Sequence, residues 1–257
     1  MNNKSYRLGE FIHPGDGRSL IVEASGGLSL GPLPGLEDFS GAVVPILPLV
    51  DGIVASPGQA GRLTGRSRAD AALLVRADWT NALRGPEFVL PQETISHLPL
   101  LTPQDALDIG ASGLVIYFLL GFEEGIEAGC LNLTVQSALE GSRVGMPLIV
   151  DVLPVGPRVV LREKAIELGV SYALEGGADG LAVPWPGNGS FETILKMAAG
   201  TPVWMKPSRL EKAESELGAC LELGGTGLWL GEALFNQPGT VGLLEHFRAA
   251  LHPDNSG

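Results

Sequence analysis

The apolar positions of this chain fall into two textures. Eight short runs, SLIVEAS (19–25), GIVASP (52–57), AALLVRAD (71–78), SGLVIYFL (112–119), PLIVDVLP (147–154), DGLAVPW (179–185), TPVWMKP (201–207) and TGLWLGE (226–232), are nearly continuous in hydrophobicity. Continuous rather than alternating apolar character means burial on both faces, which is the signature of parallel strands covered by helices. Elsewhere the apolar residues recur at helical spacing, over 102–112, 123–145, 161–177, 190–200, 210–225 and 240–252. Thr102-Pro103 and Ser190 supply N-terminal cap chemistry, and Gly145, Gly169, Gly200 and Gly224 are placed to end helices where a positive φ is cheap.

The alternation of strand and helix reaches eight strands with no compositional break, which predicts α/β architecture closed into one (β/α)8 TIM barrel over 1–257. Residues 1–17 are an N-terminal extension and 253–257 a tail. An open doubly wound sheet is the rival, but no G-x-G-x-x-G follows an early strand. In a barrel the site lies at the C-terminal strand ends. Candidates are therefore few: Glu23 to Gly27, Arg76, Asp78, Tyr117, Asp151, Leu153, Pro184 to Asn188, Lys206 to Arg209, and Gly231-Glu232.

Composition changes the picture in three ways. The 36 Gly and 19 Pro among 257 residues read as punctuation between elements, while 45% apolar and only 18% charged residues supply a large core. A formal charge of −12 without a basic cluster is the wrong field for nucleic acid or an anionic membrane. Cys130 and Cys220 lack a C-x-x-C or neighbouring His and read as reduced packing residues. The first residues lack a signal-peptide apolar core, and the longest apolar stretch, Gly113 to Phe122, is far below the roughly 18 residues a span requires. A cytoplasmic protein without a membrane partner is expected. His13, His97, His246 and His252 lie outside the strand ends, so the sequence assembles neither a His-based triad nor a metal cluster, and no metal or cofactor is implied.

Four stretches, IVEASGGLSLGPLPGLED, ASGLVIYFLLGFEEGIEAG, EGGADGLAVPWPGN and GGTGLWLGEALFNQPG, resemble the class I aldolase family of archaeal-type fructose-bisphosphate aldolase and deoxyribose-phosphate aldolase over nearly the whole chain. The resemblance implies a barrel, a homo-oligomer and aldol chemistry. Chemical positions of the family depart here: its Schiff-base lysine falls on Pro184, its first-strand aspartate on Ala24, its fifth-strand tyrosine on Leu153 and its first-strand histidine on Ser25. Proline, alanine and leucine can neither attack a carbonyl nor move a proton. The family's phosphate cradle also departs, since Pro207 has no N–H and Glu232 stands in the place of an arginine.

Lys206 alone among five lysines ends a strand, and its M-K-P segment resembles the second, seventh-strand lysine of deoxyribose-phosphate aldolase. Three roles are open for it: a Schiff-base amine, a charged anchor for a carboxylate substrate, or an ion pair with Asp151 or Glu23. Asp151 is either an acid/base in place of the lost tyrosine or a counter-ion of Lys206 or Arg76. Arg76 and Asp78 share strand parity and are expected to pair with each other, while Tyr117 and Trp185 read as a barrel cap and a pocket wall. Ser25, Ser208, Arg209 and Glu232 complete the candidate substrate contacts, while Glu23, next to Ala24 on the first strand, is expected to face the helices rather than the mouth. The leading reading is an aldolase-like carbon–carbon lyase or synthase acting on a small polar carbonyl compound. The alternatives are a barrel kept as a scaffold or ligand-binding subunit, and a non-aldol isomerase or dehydratase using Lys206 as a charged electrophile.

Overall fold

The computed structural model describes residues 3–63, 70–90 and 92–253; most of the expected tail, 254–257, lies outside them. Strands β1 (Ser19–Glu23), β2 (Gly52–Ala55) and β3 (Ala72–Arg76) are followed by a small antiparallel ribbon, β4 (Asp78–Thr80) and β5 (His97–Pro99). Strands β6 (Gly113–Leu119), β7 (Leu148–Leu153), β8 (Gly180–Pro184), β9 (Val203–Lys206) and β10 (Gly227–Leu230) complete a closed parallel barrel in the order β1-β10-β9-β8-β7-β6-β3-β2. All eight expected runs are barrel strands. The ribbon was not anticipated, because its three-residue strands, DWT and HLP, carry no periodic signal.

The helices are α1 (Asn3–Leu8), α2 (Gly27–Leu30), α3 (Phe39–Val43), α4 (Pro57–Leu63), α5 (Pro103–Ile109), α6 (Glu124–Val144), α7 (Arg162–Glu175), α8 (Asn188–Ala198), α9 (Ala213–Leu223) and α10 (Thr240–Leu251). Thr102 caps α5 through a capping box with Asp105, and Gly145 and Gly224 close α6 and α9 in the left-handed conformation. Two expectations fail. Gly187 precedes α8, so Ser190 lies inside that helix rather than at its cap. Gly169 sits in mid-α7, where a Cβ would approach Leu120 Cδ1 to 2.5 Å and Val152 Cγ1 to 2.7 Å. It is a packing glycine that lets α7 lie close on the barrel. Gly169→Ala is therefore expected to destabilise by about 1–3 kcal/mol through overpacking, read by urea unfolding; an unchanged midpoint would contradict this contact.

The barrel interior has its own core, built from Ile21, Val54, Leu74, Val115, Ile149, Ala182, Trp204 and Trp229 with Phe11 among them. Phe11 stacks 5.9 Å from Trp204, so the N-terminal extension plugs the bottom of the barrel. Lys4 is correspondingly not solvated: it is 5% exposed, and its Nζ lies 2.7 Å from Asp179, which also accepts from Leu148 N. The outer face of the strands packs against the helices in a second, larger cluster. Cys220 belongs to that cluster, where burial pushes its thiol up to about 12.

Candidate active site

The inward parity set by Ile21, Leu74, Val115, Ile149, Trp204 and Trp229 carries the next inward residue of each strand to the barrel mouth. That layer contains Glu23, Arg76, Tyr117, Asp151 and Lys206. Lys206 Nζ donates to both oxygens of Asp151, at 2.8 and 2.9 Å. Arg76 Nη2 donates to Asp151 Oδ2 at 3.2 Å and to Glu23 Oε2 at 2.7 Å, and the Tyr117 ring lies 3.7 Å from the guanidinium carbon. Asp151 and Arg76 are buried, with side chains 1% exposed, whereas the Lys206 side chain retains 22% and is the group that reaches the opening.

Glu23 corrects the sequence reading, which turned it toward the helices on the parity of Ala24. Ala24 packs in the outer cluster, and Glu23 faces inward, accepting from Arg76, from Trp229 Nε1 at 3.1 Å and from the Ser25 hydroxyl. The first strand thus still supplies a carboxylate, one residue earlier than the resemblance placed it. Ser25 is buried within this network, with Arg76 Nε 3.5 Å from its oxygen. Arg76 stays charged: burial opposes its charge, but Glu23, Tyr117 and Asp151 push its pKa well above the usual guanidinium value. Burial, assisted by Glu23 and Asp151, raises the Tyr117 phenol above its ordinary value, so that ring caps the barrel as a neutral plate. Arg76 Nη1 is buried with no protein partner, a donor aimed at nothing else in the protein.

Asp78 does not pair with Arg76 as expected. Its Oδ2 accepts from Tyr117 N at 2.6 Å and from His97 Nε2 at 2.7 Å, while His97 Nδ1 lies 3.3 Å from Cys130 Sγ. Burial works against charge on His97, but Asp78 and Cys130 outweigh it and hold its pKa up to about 10. Cys130 is a free, buried packing residue of the outer cluster, as expected, and it also meets the His97 ring, whose side chain is only 5% exposed; the two brace the ribbon against α6 and β6. Trp185 turns outward, 5.1 Å from Phe191 of α8, and is not a pocket wall. Trp204 lies in the inner core. Ser208 is committed elsewhere, its N and Oγ bonded to Glu216 at 2.8 and 2.5 Å, and Arg209 is exposed.

Glu232 leans over the mouth from the turn after β10 and accepts from Gly26 N at 2.6 Å. Burial and the Glu23 carboxylate raise its pKa to about 7, against the pull of Lys206 and the Gly26 N–H. A carboxyl whose folded pKa is raised contributes stability that is full below about pH 4.5 and is lost as pH rises through about 7. Glu232→Gln keeps an acceptor for Gly26 but does not titrate. The wild type is expected to lose on the order of 1–2 kcal/mol more than the variant between about pH 5 and pH 8, measured by urea unfolding; parallel pH profiles would contradict the raised pKa.

Lys206 and Pro184 are register partners on adjoining strands, as are Asp151 and Ala182. An amine on β9 thus approaches the same sector of the mouth that a residue at the end of β8 would occupy. Proline is tolerated there because the β7–β8 ladder ends at Asp151 and Ala182, so no ladder bond to β7 is asked of an N–H at position 184.

No family model matches the chain. An uncharacterised aldolase of Saccharolobus solfataricus is 29% identical over 232 residues, covering 85% of this chain and 84% of that protein. An uncharacterised aldolase of Pasteurella multocida is 23% identical over 252 residues, covering 96% and 81%. Among solved structures, a Schiff-base-forming fructose-1,6-bisphosphate aldolase matches with a TM-score of 0.78 at 20% identity, over 97% of this chain and 100% of that one. An archaeal fructose-1,6-bisphosphate aldolase matches with a TM-score of 0.79 at 20% identity, over 98% and 100%. No helix among the described residues is long and apolar enough to cross a membrane. The names of the sequence relatives and the barrel shared with these enzymes bear out the resemblance to the class I aldolase family and support an aldolase-type lyase.

Proposed function

We propose that the protein makes or breaks a carbon–carbon bond in a small polar, unphosphorylated carbonyl compound through a Schiff base on Lys206. The observation that carries this reading is the position of Lys206 itself: an amine at the barrel mouth, on the strand beside Pro184, gripped by a buried carboxylate. Asp151 takes a proton from Nζ, and the neutral amine attacks the carbonyl carbon to give a carbinolamine. Loss of its hydroxyl as water, protonated by Glu232, leaves the iminium. Glu232 suits both proton donor and acceptor because its pKa of about 7 lies near neutrality. The buried, unpartnered Arg76 Nη1 supplies a donor for a substrate oxygen. Absence of a phosphate in the substrate follows from Ser208 being spent on Glu216, Pro207 lacking an N–H, and Glu232 facing the mouth.

The test is exchange of α-protons for deuterium, which an iminium permits without a second substrate. Dihydroxyacetone, glycolaldehyde and pyruvate, each beside dihydroxyacetone phosphate, are incubated with the protein in D2O and followed by NMR. Exchange into at least one unphosphorylated carbonyl is expected; exchange into none of them would sink the proposal and favour a scaffold. The bidentate hold of Asp151 on Lys206 also favours a second reading, in which Lys206 stays an ammonium and polarises a carbonyl as an isomerase or dehydratase would use it.

A further inference from the structure

The bottom of the barrel carries a second cluster, unrelated to the mouth. The segment before β1 turns back on itself, with His13 N donating to Arg18 O and Gly17 N to His13 O, and this turn presents His13 and Asp16 beside the residue that follows α10, His252. His252 is 3% exposed, although its ring is polar, and it directly follows Leu251, the last buried residue of α10. His252 Nδ1 lies 2.7 Å from Asp16 Oδ2, His13 Nδ1 lies 3.4 Å from Asp16 Oδ1, and one ligand atom from each of the three residues falls within 4.8 Å of the others.

We propose that His13, Asp16 and His252 form a binding site for a divalent transition-metal ion of the zinc class, which clasps the N-terminal segment to the end of the last helix. Two imidazoles and a carboxylate form a donor set that suits such ions. With metal–ligand bonds of about 2.0–2.1 Å, tetrahedral ligand atoms stand roughly 3.3–3.5 Å apart, so the observed spacing needs only side-chain adjustment. The independent observation is on the far side of His252: its Nε2 bonds Asp51 Oδ2 at 3.1 Å. Asp51 is itself fixed at the start of β2 by accepting from Leu20 N at 2.7 Å. A carboxylate holding one ring nitrogen of a histidine while the other faces the ion is the outer-shell arrangement that orients metal-ligating histidines.

The charges around the cluster are consistent with this use. Arg248 faces Asp51 at 3.9 Å, and Arg18 spends its guanidinium on Leu251 O at 3.0 Å, so Asp16 is left to the two histidines and the Arg18 N–H. On binding, the hydrogen bond between His252 and Asp16 is exchanged for a bond from each to the ion, the His252 Nδ1 proton leaves to solvent, and His13 Nδ1 gives up the Gly15 N–H, 3.3 Å away, for the ion. Its place at the N-terminal end of the strands, away from the mouth, makes the ion a stabilising clasp.

Zn²⁺ alone, titrated calorimetrically into the chelator-treated full chain, is the probe, with thermal melts alongside. Binding of one ion per chain and a melting point raised by several degrees are expected. Both effects should be lost in His13→Ala and in Asp16→Asn, whose side chains are partly exposed and whose folds should survive. His246→Ala, which removes an exposed histidine elsewhere, should retain them. No saturable binding to the wild type, binding that persists undiminished in His13→Ala and Asp16→Asn, or binding lost in His246→Ala would overturn the site.

Discussion

Lys206→Arg should be as inactive in α-proton exchange as Lys206→Met, each reduced by at least about 10³-fold. Arginine keeps the positive charge and the reach toward Asp151, but a guanidinium cannot be deprotonated to attack a carbonyl. The charged-electrophile reading makes the opposite forecast, since it asks only for a cation at the end of β9 and would leave Lys206→Arg within about tenfold of wild type. Both variants should fold, because the Lys206 side chain is the part of the network that reaches solvent, and Asp151 keeps Arg76 as a partner. Thermal melts of the two variants close to wild type are the accompanying check that any loss is chemical.

The second large effect concerns stability. Arg76 is the sole cation seen bonded to Glu23 among the described residues, and it shares Asp151 with Lys206. Arg76→Met removes the charge from a side chain 1% exposed and leaves Glu23 buried against only the Trp229 N–H and the Ser25 hydroxyl. Breaking a buried pair from one side costs about 3–5 kcal/mol, because the remaining charge is uncompensated. For a chain of this size a melting point lower by roughly 6–20 °C follows. Adding Glu23→Gln to Arg76→Met should restore part of the loss, since it removes the orphaned charge rather than the contact. Equal stability of Arg76→Met and wild type, or no recovery in the double variant, would show that the Glu23–Arg76–Asp151 network contributes little.

The barrel was legible because parallel strands buried on both faces announce themselves as continuous apolar runs. That same continuity hid strand parity. All five residues of β1 are buried, so nothing in SLIVE distinguishes the face that meets Trp229 from the face that meets the helices, and Glu23 was turned the wrong way. Lys206 and Asp151 stand out as candidates because polar residues at strand ends in a barrel have few other uses, and the structure joins them in the ion pair that was one of the roles open to each. The Asp78–His97–Cys130 chain was not, since its members come from β4, β5 and α6 and meet only through a ribbon whose strands are three residues long. Trp185 was misread for a reason of parity again: Pro184 takes the inward place, and the next residue must point to α8. Gly169 looked like a helix end because glycine usually is one, and only the closeness of Leu120 and Val152 reveals its packing role.

Borohydride reduction tests the central claim most directly. The protein is incubated with each carbonyl that supports α-proton exchange, reduced, digested and mapped by mass spectrometry. The account requires a reduced adduct on the peptide containing Lys206, absent from Lys206→Arg treated in the same way. An adduct confined to Lys4, Lys164, Lys196 or Lys212, or none with a carbonyl that demonstrably binds, would contradict it.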